Sequence, residues 1–551
     1  MSITPPVALD PLYYLHNFQE LLRCVEAQYQ DLLTPGEQDF LQEFAKLETP
    51  EQALLVRMYS RRSTLFRSDK LNYPELPPLA GILDTLAASG FIALNPKAPE
   101  ISLLELVTIP EMCQWWPQCC PRRGNRGQML AQLADLQEAE FYAAVPFQTV
   151  AILHQPLIDL FQLLFFGNGI QDLSAFVTVE LGHVQYEDYG LDADTRLFTR
   201  REDIDHAVYL RALRDQWFAM EEFDPEEALD ILGHCPDLPP QSPSQGRLSR
   251  LCNHIGKAFE QQQMLEEAYS AYQRSTRAPA RERCARIRFK QGRWEEAKAI
   301  CEQIQETPLN EAELLFAERF IKQCLKQLQQ VVPKEKRFVP VTQIVRIPPS
   351  ELRVEQAVSL HFHTAEATCV YVENWLFNAV FGLTFWEALF APVKGAFTHP
   401  FQRGPHDLFD ADFIQRRQPL ITQAANLIHQ PDWPLMLADR WQQKFGCSNS
   451  FVGWYEDGWV IIQQALQHIP GAHWQAVFQR MLSDLRENCS GFPDLIRFTA
   501  DGSYELLEVK SPTDKLQANQ SRWMKLFEQV GIPYQLIQVE WMTGSDMSPG
   551  N

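Results

Sequence analysis

The sequence lacks the features that assign a chain to a membrane or to the cell exterior. Its 551 residues contain no apolar run of the roughly 20 residues that a transmembrane helix needs, which argues against a membrane protein. The first 10 residues contain no basic segment followed by an apolar one, so no secretory leader is expected. We therefore expect a cytoplasmic protein without a membrane partner.

Metal-binding cysteine motifs and an excess of positive charge are also missing. The 12 cysteines include no CxxC pair, so neither a zinc ribbon nor a disulfide framework is indicated, and buried free thiols are expected. Asp and Glu number 70 against 49 Lys and Arg, a formal net charge of −21. This balance argues against a protein that coats DNA non-specifically, because neutralising phosphates needs positive charge. A DNA-binding role would require local basic tracks.

Two such tracks are present in the N-terminal part of the chain. In the first, Arg57 and Arg61 are four residues apart and so share one face of a predicted helix. The second is a loop with two glycines. The members of the two tracks are Arg57, Arg61, Arg62, Arg67, Lys70, Arg122, Arg123 and Arg126. We predict that they bind DNA phosphates; the alternative is an ordinary solvated surface.

Small helical modules make up much of the rest of the N-terminal two-thirds. Residues 79–94 read as a short amphipathic helix that ends at Gly90 before an apolar turn, a pattern similar to a SAP DNA-binding module. The triplet Glu-Glu-Ala recurs at 226–228, 266–268 and 295–297, each time ahead of a helical pattern. This recurrence predicts degenerate TPR-like repeats, which stack and offer a surface to protein partners.

Chemistry-bearing residues are concentrated near the C-terminus. A strand beginning at Asp494, a turn at 501–502 and a second strand ending at Lys510 predict a β-hairpin. Alternation along the second strand places Glu508 and Lys510 on one face and Val509 on the other. Strand pairing then brings Asp494 towards the face that carries Glu508. The alternative is an exposed ion pair between Glu508 and Lys510.

Two carboxylates that converge in this way resist ionisation unless a cation lies between them. Oxygen ligands suit Mg²⁺ or Mn²⁺ rather than zinc. A lysine two residues from the second carboxylate can orient or help to deprotonate an attacking water. This is the equipment for hydrolysing a phosphodiester.

Two further polar residues lie in apolar surroundings. Glu373 precedes an almost wholly apolar helix, where an ionised carboxylate needs a partner. The partner is either a metal shared with Asp494 and Glu508 or an arginine, unless the helix start is exposed. Gln520 lies on the apolar stripe of a helix whose N-cap is predicted at Thr513 or Asp514. Its amide needs a partner in a nearby active site or in the backbone.

These residues carry a family resemblance. The order Pro493-Asp494, then Glu508-x-Lys510, resembles the PD-(D/E)xK nuclease signature, and the fuller string is similar to its VRR-NUC branch. Most of the chain resembles a bacterial-type member of the Fanconi-associated nuclease family, and the resemblance is specific from about Val354 onward. The stretches that carry this resemblance are Glu373, 385–390, 405–409, 491–495, 507–510, 514–516, Gln520 and Trp523.

The patterns and the resemblance together predict an α+β multidomain protein. The N-terminal two-thirds are expected to be mostly helical, and the C-terminal part is expected to be an α/β PD-(D/E)xK nuclease domain with a mixed central sheet. The predicted domains are a helical N-terminal domain at 1–70, a SAP-like DNA-binding domain at 71–145, a TPR-like repeat domain at 146–333 and a VRR-NUC nuclease domain at 334–545.

The resemblance implies a metal-dependent, structure-specific DNA nuclease that cuts near 5′ flaps, trims DNA from 5′ ends and acts in DNA repair, including the repair of interstrand crosslinks. A nucleoid-associated monomer bound to branched DNA is expected. The residues that match the family's catalytic positions are Asp494, Glu508, Lys510 and Glu373. The implied ligands of one or two Mg²⁺ or Mn²⁺ ions are Glu373, Asp494, Glu508 and the Val509 carbonyl.

Positions outside this set carry weaker implications. The resemblance places Gln520 beside the active site. Arg486 matches a 5′-phosphate contact of some members, but Asn519 stands where those members carry a lysine, which argues against a dedicated 5′-phosphate pocket. Two other functions stay open: a sequence-specific restriction-type endonuclease with the same metal site, and a non-catalytic helical-repeat scaffold with a relic nuclease fold.

Overall fold

The structure is a computed structural model whose described residues fall into two compact units. The described residues are 10–61, 63–97, 100–117, 126–133, 138–168, 171, 185–333 and 338–542. The first unit comprises Met1–Val184 with Leu191–Arg201, and the second comprises Gln185–Gly190 with Glu202–Asn551. The predicted division into four domains stays a prediction. Among the described residues, no helix combines the length and apolar character that crossing a bilayer requires.

The first unit is built mostly from helices that pack through aromatic and aliphatic side chains. Its helices are α1 (Tyr13–Tyr29), α2 (Pro35–Lys46), α3 (Thr49–Tyr59), α4 (Leu79–Ala88), α5 (Glu100–Glu105), α6 (Ile109–Trp115), α7 (Arg126–Gln132), α8 (Glu138–Ala144) and α9 (Gln155–Phe166). At the start of α2, the Glu37 side chain accepts a hydrogen bond of 2.8 Å from Thr34 N, which satisfies a donor that the helix leaves unpaired. The predicted short helix near residue 79 is confirmed as α4.

A small antiparallel sheet in this unit was not predicted. Its strands are β1 (Leu65–Arg67), β2 (Ile92–Leu94) and β3 (Thr149–Ile152), in the order β1-β3-β2. Phe66 pairs with Val150, and both are buried. Strands of three or four residues are too short to show the alternation by which a sequence reveals a strand.

A run of helices opens the second unit. It comprises α10 (Arg201–Ala219), α11 (Pro225–His234), α12 (Gln245–Gln261), α13 (Leu265–Gln273), α14 (Ala280–Lys290), α15 (Trp294–Glu306) and α16 (Glu311–Gln327). Each Glu-Glu-Ala triplet lies in a first turn, where the helix dipole favours acidic side chains. The alanines of the triplets, Ala228, Ala268 and Ala297, are fully buried. The triplets therefore mark helix starts, and the TPR-like assignment stays a prediction.

The C-terminal part contains a five-stranded mixed sheet with helices packed against it. Its strands are β4 (Thr342–Ile347), β5 (Ala367–Tyr371), β6 (Leu495–Thr499), β7 (Tyr504–Lys510) and β8 (Tyr534–Trp541). In the order β4-β8-β7-β6-β5, β8 is parallel to β4 and β7, whereas β6 is antiparallel to β7 and β5. The predicted fold class, mixed sheet and β6–β7 hairpin are confirmed.

The remaining helices lie between or beside these strands. They are α17 (Val354–Phe362), α18 (Leu376–Thr384), α19 (Trp386–Leu389), α20 (Phe413–Arg416), α21 (Gln418–Leu427), α22 (Trp433–Lys444), α23 (Gly458–His468), α24 (Gly471–Ser483), α25 (Leu485–Asn488) and α26 (Ala518–Val530). The predicted N-cap of α26 at Thr513 or Asp514 was wrong. Asp514 instead accepts a hydrogen bond of 3.2 Å from Ser511 N in a turn, and Gln517 is the N-cap.

The cysteines follow the prediction with one exception. Eight of the described free cysteines are buried, and Cys489 is half-buried. Cys113, in α6, is disulfide-bonded. The expectation of free thiols was therefore wrong at this position.

Candidate functional site

The β6–β7 hairpin brings three charged side chains together inside the sheet. Asp494 Oδ2 accepts a hydrogen bond of 2.8 Å from Val509 N, which ties the residue before β6 to the end of β7. Lys510 Nζ lies 2.7 Å from Glu508 Oε1. Asp494, Glu508 and Lys510 are 8%, 1% and 9% exposed, so the alternative of a solvated ion pair does not apply.

Strand alternation explains why these polar groups are buried. Val509 points to the opposite face of β7, where it joins a core cluster with Leu495 and Leu507. Strand β7 lies between β6 and β8, so both of its edges are paired. The predicted placement of Glu508 and Lys510 on one face, with Val509 on the other, agrees with this arrangement.

Both carboxyl groups are held in an environment that disfavours their charge. Burial, with a smaller contribution from the negative charges of Glu373 and Glu355, raises the pKa of Asp494 to about 6 despite the lowering effect of the Val509 N–H bond. Burial, followed by the charge of Asp494, raises the pKa of Glu508 to about 8 despite the Lys510 ammonium. The site therefore contains more negative charge than Lys510 compensates.

Glu373 lies beside this pair rather than within it. Val372 N donates a hydrogen bond of 2.8 Å to the Asp494 carbonyl, which brings the neighbouring Glu373 to the same edge of the sheet. The exposed Glu373 carboxylate accepts hydrogen bonds from the Tyr371 hydroxyl and from Asn374 Nδ2. Within the described ranges, no three His, Cys, Asp or Glu side chains are gathered closely enough to hold a metal ion.

The residues nevertheless fit a divalent cation. Glu508 Oε2 is buried, and among the described residues no group hydrogen-bonds to it. A buried carboxylate oxygen without a partner is costly, and a cation would satisfy it. The nearby Asp494 supplies a second carboxylate, and carboxylate oxygens are ligands that suit Mg²⁺ or Mn²⁺.

Comparisons with known proteins identify the family. A model described as "FAN1, HTH domain" matches residues 12–93, and the VRR-NUC domain model matches residues 432–541. A Fanconi-associated nuclease 1 homolog of Pseudomonas aeruginosa is 33% identical and aligns over 98% of this chain and 98% of its own length. The chain belongs to the Fanconi-associated nuclease family. It is a structure-specific DNA nuclease, and a role in DNA repair is consistent with the family.

Solved structures and eukaryotic relatives agree with this assignment. The crystal structure of paFAN1 bound to 2nt 5′ flap DNA with gap has a TM-score of 0.83 at 33% identity, covering 98% of this chain and 100% of that chain. Fanconi-associated nuclease 1 of Homo sapiens is 22% identical, and the match spans 62% of its length. The VRR-NUC match includes Asp494, Glu508 and Lys510 and begins after Glu373.

Gln520 has a partner in the backbone of its own helix. Its Oε1 accepts a hydrogen bond of 2.9 Å from Gln517 N at the start of α26, as a capping residue does. The neighbouring Asn519 lies against Gly491, whose φ of 83° and lack of a side chain allow this approach. An active-site role for Gln520 stays a prediction.

Arg486 opens onto a cavity of about 620 Å³ in the second unit. Arg480, Arg522 and Lys525 also line this cavity. Glu311 neutralises part of the positive charge of the cavity, because its Oε1 lies 2.8 Å from Arg480 and 3.0 Å from Arg522. The lining also contains the acids Glu311, Glu318, Asp410 and Asp484, so the cavity is concave without being basic, and the phosphate contact of Arg486 stays a prediction.

The predicted DNA-binding arginines of the first unit differ in how they are held. Arg67 is buried between Asp69 and Glu111, at 2.8 and 2.7 Å. Arg57 lies 2.6 Å from Glu75, and Arg126 donates to the Val107 carbonyl at 2.7 Å. These bonds give the three residues structural roles. To bind a phosphate, each side chain would have to break them.

The other members of the basic tracks are exposed or undescribed. Lys70 is exposed, and the exposed Arg61 lies over the rings of Phe66 and Tyr73. The remaining members, Arg62, Arg122 and Arg123, lie outside the described residues.

Sequence reasoning missed three residues of the site. Glu355, in the first turn of α17, acts on Asp494 through its charge. Tyr371 and Asn374 hold Glu373. A glutamate near a helix start, a tyrosine at a strand end and an asparagine in a turn are all common in sequences. None of the three therefore indicates a functional site until the fold brings them together.

Proposed function

We propose that this nuclease hydrolyses phosphodiester bonds near 5′ flaps with one or two Mg²⁺ or Mn²⁺ ions and also trims DNA from 5′ ends. The observation that carries the proposal is the buried Asp494–Glu508 pair, in which Glu508 Oε2 has no partner among the described residues and Lys510 lies 2.7 Å from Glu508 Oε1. The flap preference rests on the paFAN1 structures, which hold 5′ flap DNA. We place the protein at the nucleoid, as a monomer acting in repair that includes interstrand crosslinks.

The residues divide the chemistry between them. Asp494, Glu508, the Val509 carbonyl and Glu373 would hold the cation, which when bound polarises the phosphate and offsets its developing charge. The Val509 N–H fixes one oxygen of Asp494 and leaves the other to act as a ligand. Glu508 holds the Lys510 ammonium at the site, where it orients the attacking water or stabilises negative charge on the phosphate.

A panel of end-labelled substrates tests the function. Random-sequence 5′ flaps, 3′ flaps and plain duplexes are incubated with the protein in Mg²⁺, in Mn²⁺ or in EDTA. We expect metal-dependent cutting close to the 5′-flap junction, whatever the sequence. Cutting confined to one sequence would favour a restriction-type enzyme, and failure to cut any branched DNA would favour a scaffold whose helical repeats bind protein partners.

The basic track of the first unit gives a second prediction. We expect Arg61→Ala combined with Lys70→Ala to weaken DNA binding and to reduce the salt slope of log K by about 2, because each side chain would release counterions from a phosphate. The measurement is fluorescence anisotropy of a labelled 5′ flap at several salt concentrations in EDTA.

The control for the track is Arg67→Ala. Because Arg67 is buried between two carboxylates, its loss is expected to lower the melting temperature while leaving the salt slope of the folded protein unchanged. A double variant with wild-type affinity and slope would remove Arg61 and Lys70 from the DNA-binding surface.

A further inference from the structure

Glu373 is exposed, yet its carboxylate is held from two sides. The Tyr371 hydroxyl donates a hydrogen bond to Glu373 Oε2, and Asn374 Nδ2 donates one of 3.2 Å to Glu373 Oε1. An exposed glutamate that rotates freely loses rotamer entropy when it binds a ligand. A carboxylate that is already fixed by charge-assisted hydrogen bonds avoids part of that cost.

Asn374 has an unusual backbone conformation at this point. Its φ is 50°, in the left-handed region that few residues other than glycine adopt. Asparagine tolerates this region better than most side chains, but the conformation still costs free energy and persists only where the surroundings impose it. Here the chain turns from β5 into α18, immediately after Glu373.

The Asn374 side chain links Glu373 to the loop that carries Asp494. Its Oδ1 accepts a hydrogen bond of 3.2 Å from Phe492 N, two residues before Asp494, while its Nδ2 contacts Glu373. Asn378 adds a second link, because its Nδ2 donates to the Asn374 carbonyl at 2.6 Å and to the Cys489 carbonyl at 2.8 Å. The two segments are therefore joined by side-chain amides.

The loop itself is anchored independently. Trp523 Nε1 donates to the Ser490 carbonyl at 3.0 Å, and the Trp523 ring packs 4.3 Å from the Phe492 ring. One end of the Asn374 bridge is thus attached to a rigid support. The other end holds a carboxylate that would otherwise be mobile.

We propose that Asn374, together with Tyr371, is a positioning residue that holds Glu373 in register with Asp494 for the binding of a divalent cation. This inference rests on the proposed function, since it assumes that the site takes Mn²⁺ or Mg²⁺. In this role both residues act through Glu373 and not on the reacting atoms. Their effect is expected in metal affinity, which a purely structural role would leave unchanged.

The test is calorimetric titration of the full-length protein with Mn²⁺ in the absence of DNA. Asn374→Gly keeps the left-handed backbone and removes both side-chain bonds. We expect it to weaken Mn²⁺ binding about tenfold, as the loss of a hydrogen bond to a charged group does. The Mn²⁺ concentration for half-maximal cleavage should rise by the same factor, with the melting temperature in EDTA unchanged.

Two further variants make the result specific. Asn95→Gly is the matched control, because Asn95 also has a positive φ, of 47°, and its Oδ1 accepts a bond of 3.0 Å from Thr149 N, in the other unit. Its Mn²⁺ affinity should equal that of the wild type. Tyr371→Phe removes the other donor to Glu373 and should also weaken Mn²⁺ binding, which keeps the inference testable if Asn374→Gly folds poorly.

The outcomes separate this inference from the proposed function. Wild-type or tighter Mn²⁺ affinity in Asn374→Gly and Tyr371→Phe would overturn the positioning role while leaving the metal site intact. A wild-type protein that neither binds Mn²⁺ nor cuts DNA would instead overturn the proposed function.

Discussion

Replacing Glu508 by Gln is expected to lower the rate of 5′-flap cleavage about a thousandfold at saturating Mn²⁺, equivalent to roughly 4 kcal/mol of transition-state stabilisation. Glu508 is 1% exposed and no described residue hydrogen-bonds to its Oε2, so its carboxylate is the most direct ligand for a cation in the hairpin. The amide keeps the shape of the side chain but removes that charge. It also removes the anion that holds Lys510. Single-turnover cleavage of an end-labelled flap measures the change.

Glu505→Gln is the matched control for this variant. Glu505 lies on the same strand three residues earlier and points to the opposite face, so the same chemical change should leave cleavage within about twofold of the wild type. DNA affinity in EDTA should be the same in both variants. A Glu508→Gln protein that cuts at half the wild-type rate would remove Glu508 from the ligand set.

The metal-free protein is expected to lose stability as the pH rises from about 4.5 to 8. The ordinary pKa of a glutamate is 4.5, and in the folded chain burial raises that of Glu508 to about 8; for Asp494 the change is from 3.8 to about 6. Between these values the folded state retains protons that the unfolded state has released. Stability rises with pH only where the unfolded state binds more protons, so here it falls.

The size of this loss follows from the Glu508 shift. A pKa unit corresponds to about 1.4 kcal/mol, so we expect a loss of about 2 kcal/mol and a drop in melting temperature of roughly 3 °C between pH 6 and 8. Thermal unfolding in EDTA measures it. Because Glu508→Gln cannot titrate at this position, it should exceed the wild type already at pH 6 and by about 2 kcal/mol more at pH 8. Equal melting temperatures of the two proteins at pH 8 would contradict the raised pKa.

Added Mn²⁺ should reverse the trend. A cation that binds the folded state stabilises it in proportion to its affinity, and affinity rises as the carboxyl groups lose their protons. The stabilisation by Mn²⁺ should therefore be larger at pH 8 than at pH 6. If the Glu508 carboxylate is a principal ligand, Mn²⁺ should not stabilise the Glu508→Gln variant.

Local patterns were sufficient to predict the centre of the site. The Asp501-Gly502 turn and the alternation of 504–510 specify a hairpin, and a hairpin alone brings Asp494 to Glu508 and Lys510. The same local reasoning placed the start of α26 too early. It missed that the Gln520 side chain caps the helix from within, so that the segment before Gln517 is a turn.

Long-range pairing was beyond the reach of the sequence. Arg67 and Glu111 are 44 positions apart, and Arg57 and Glu75 are 18 apart, so a cluster of arginines in the sequence gave no sign that some members are occupied by distant carboxylates. The proximity of Glu355 to Asp494 likewise depends on how α17 packs on the sheet. Sequence patterns identify such residues as charged, and only the fold determines which charges they meet.

The most direct test of the account compares the wild type with Asp494→Ala on an end-labelled 5′ flap in Mg²⁺, in Mn²⁺ and in EDTA. We predict metal-dependent cutting near the flap junction by the wild type, loss of that cutting in Asp494→Ala, and equal binding of the flap by both proteins in EDTA. Cleavage by highly purified Asp494→Ala at the wild-type rate would contradict the assignment of the β6–β7 hairpin as the catalytic centre.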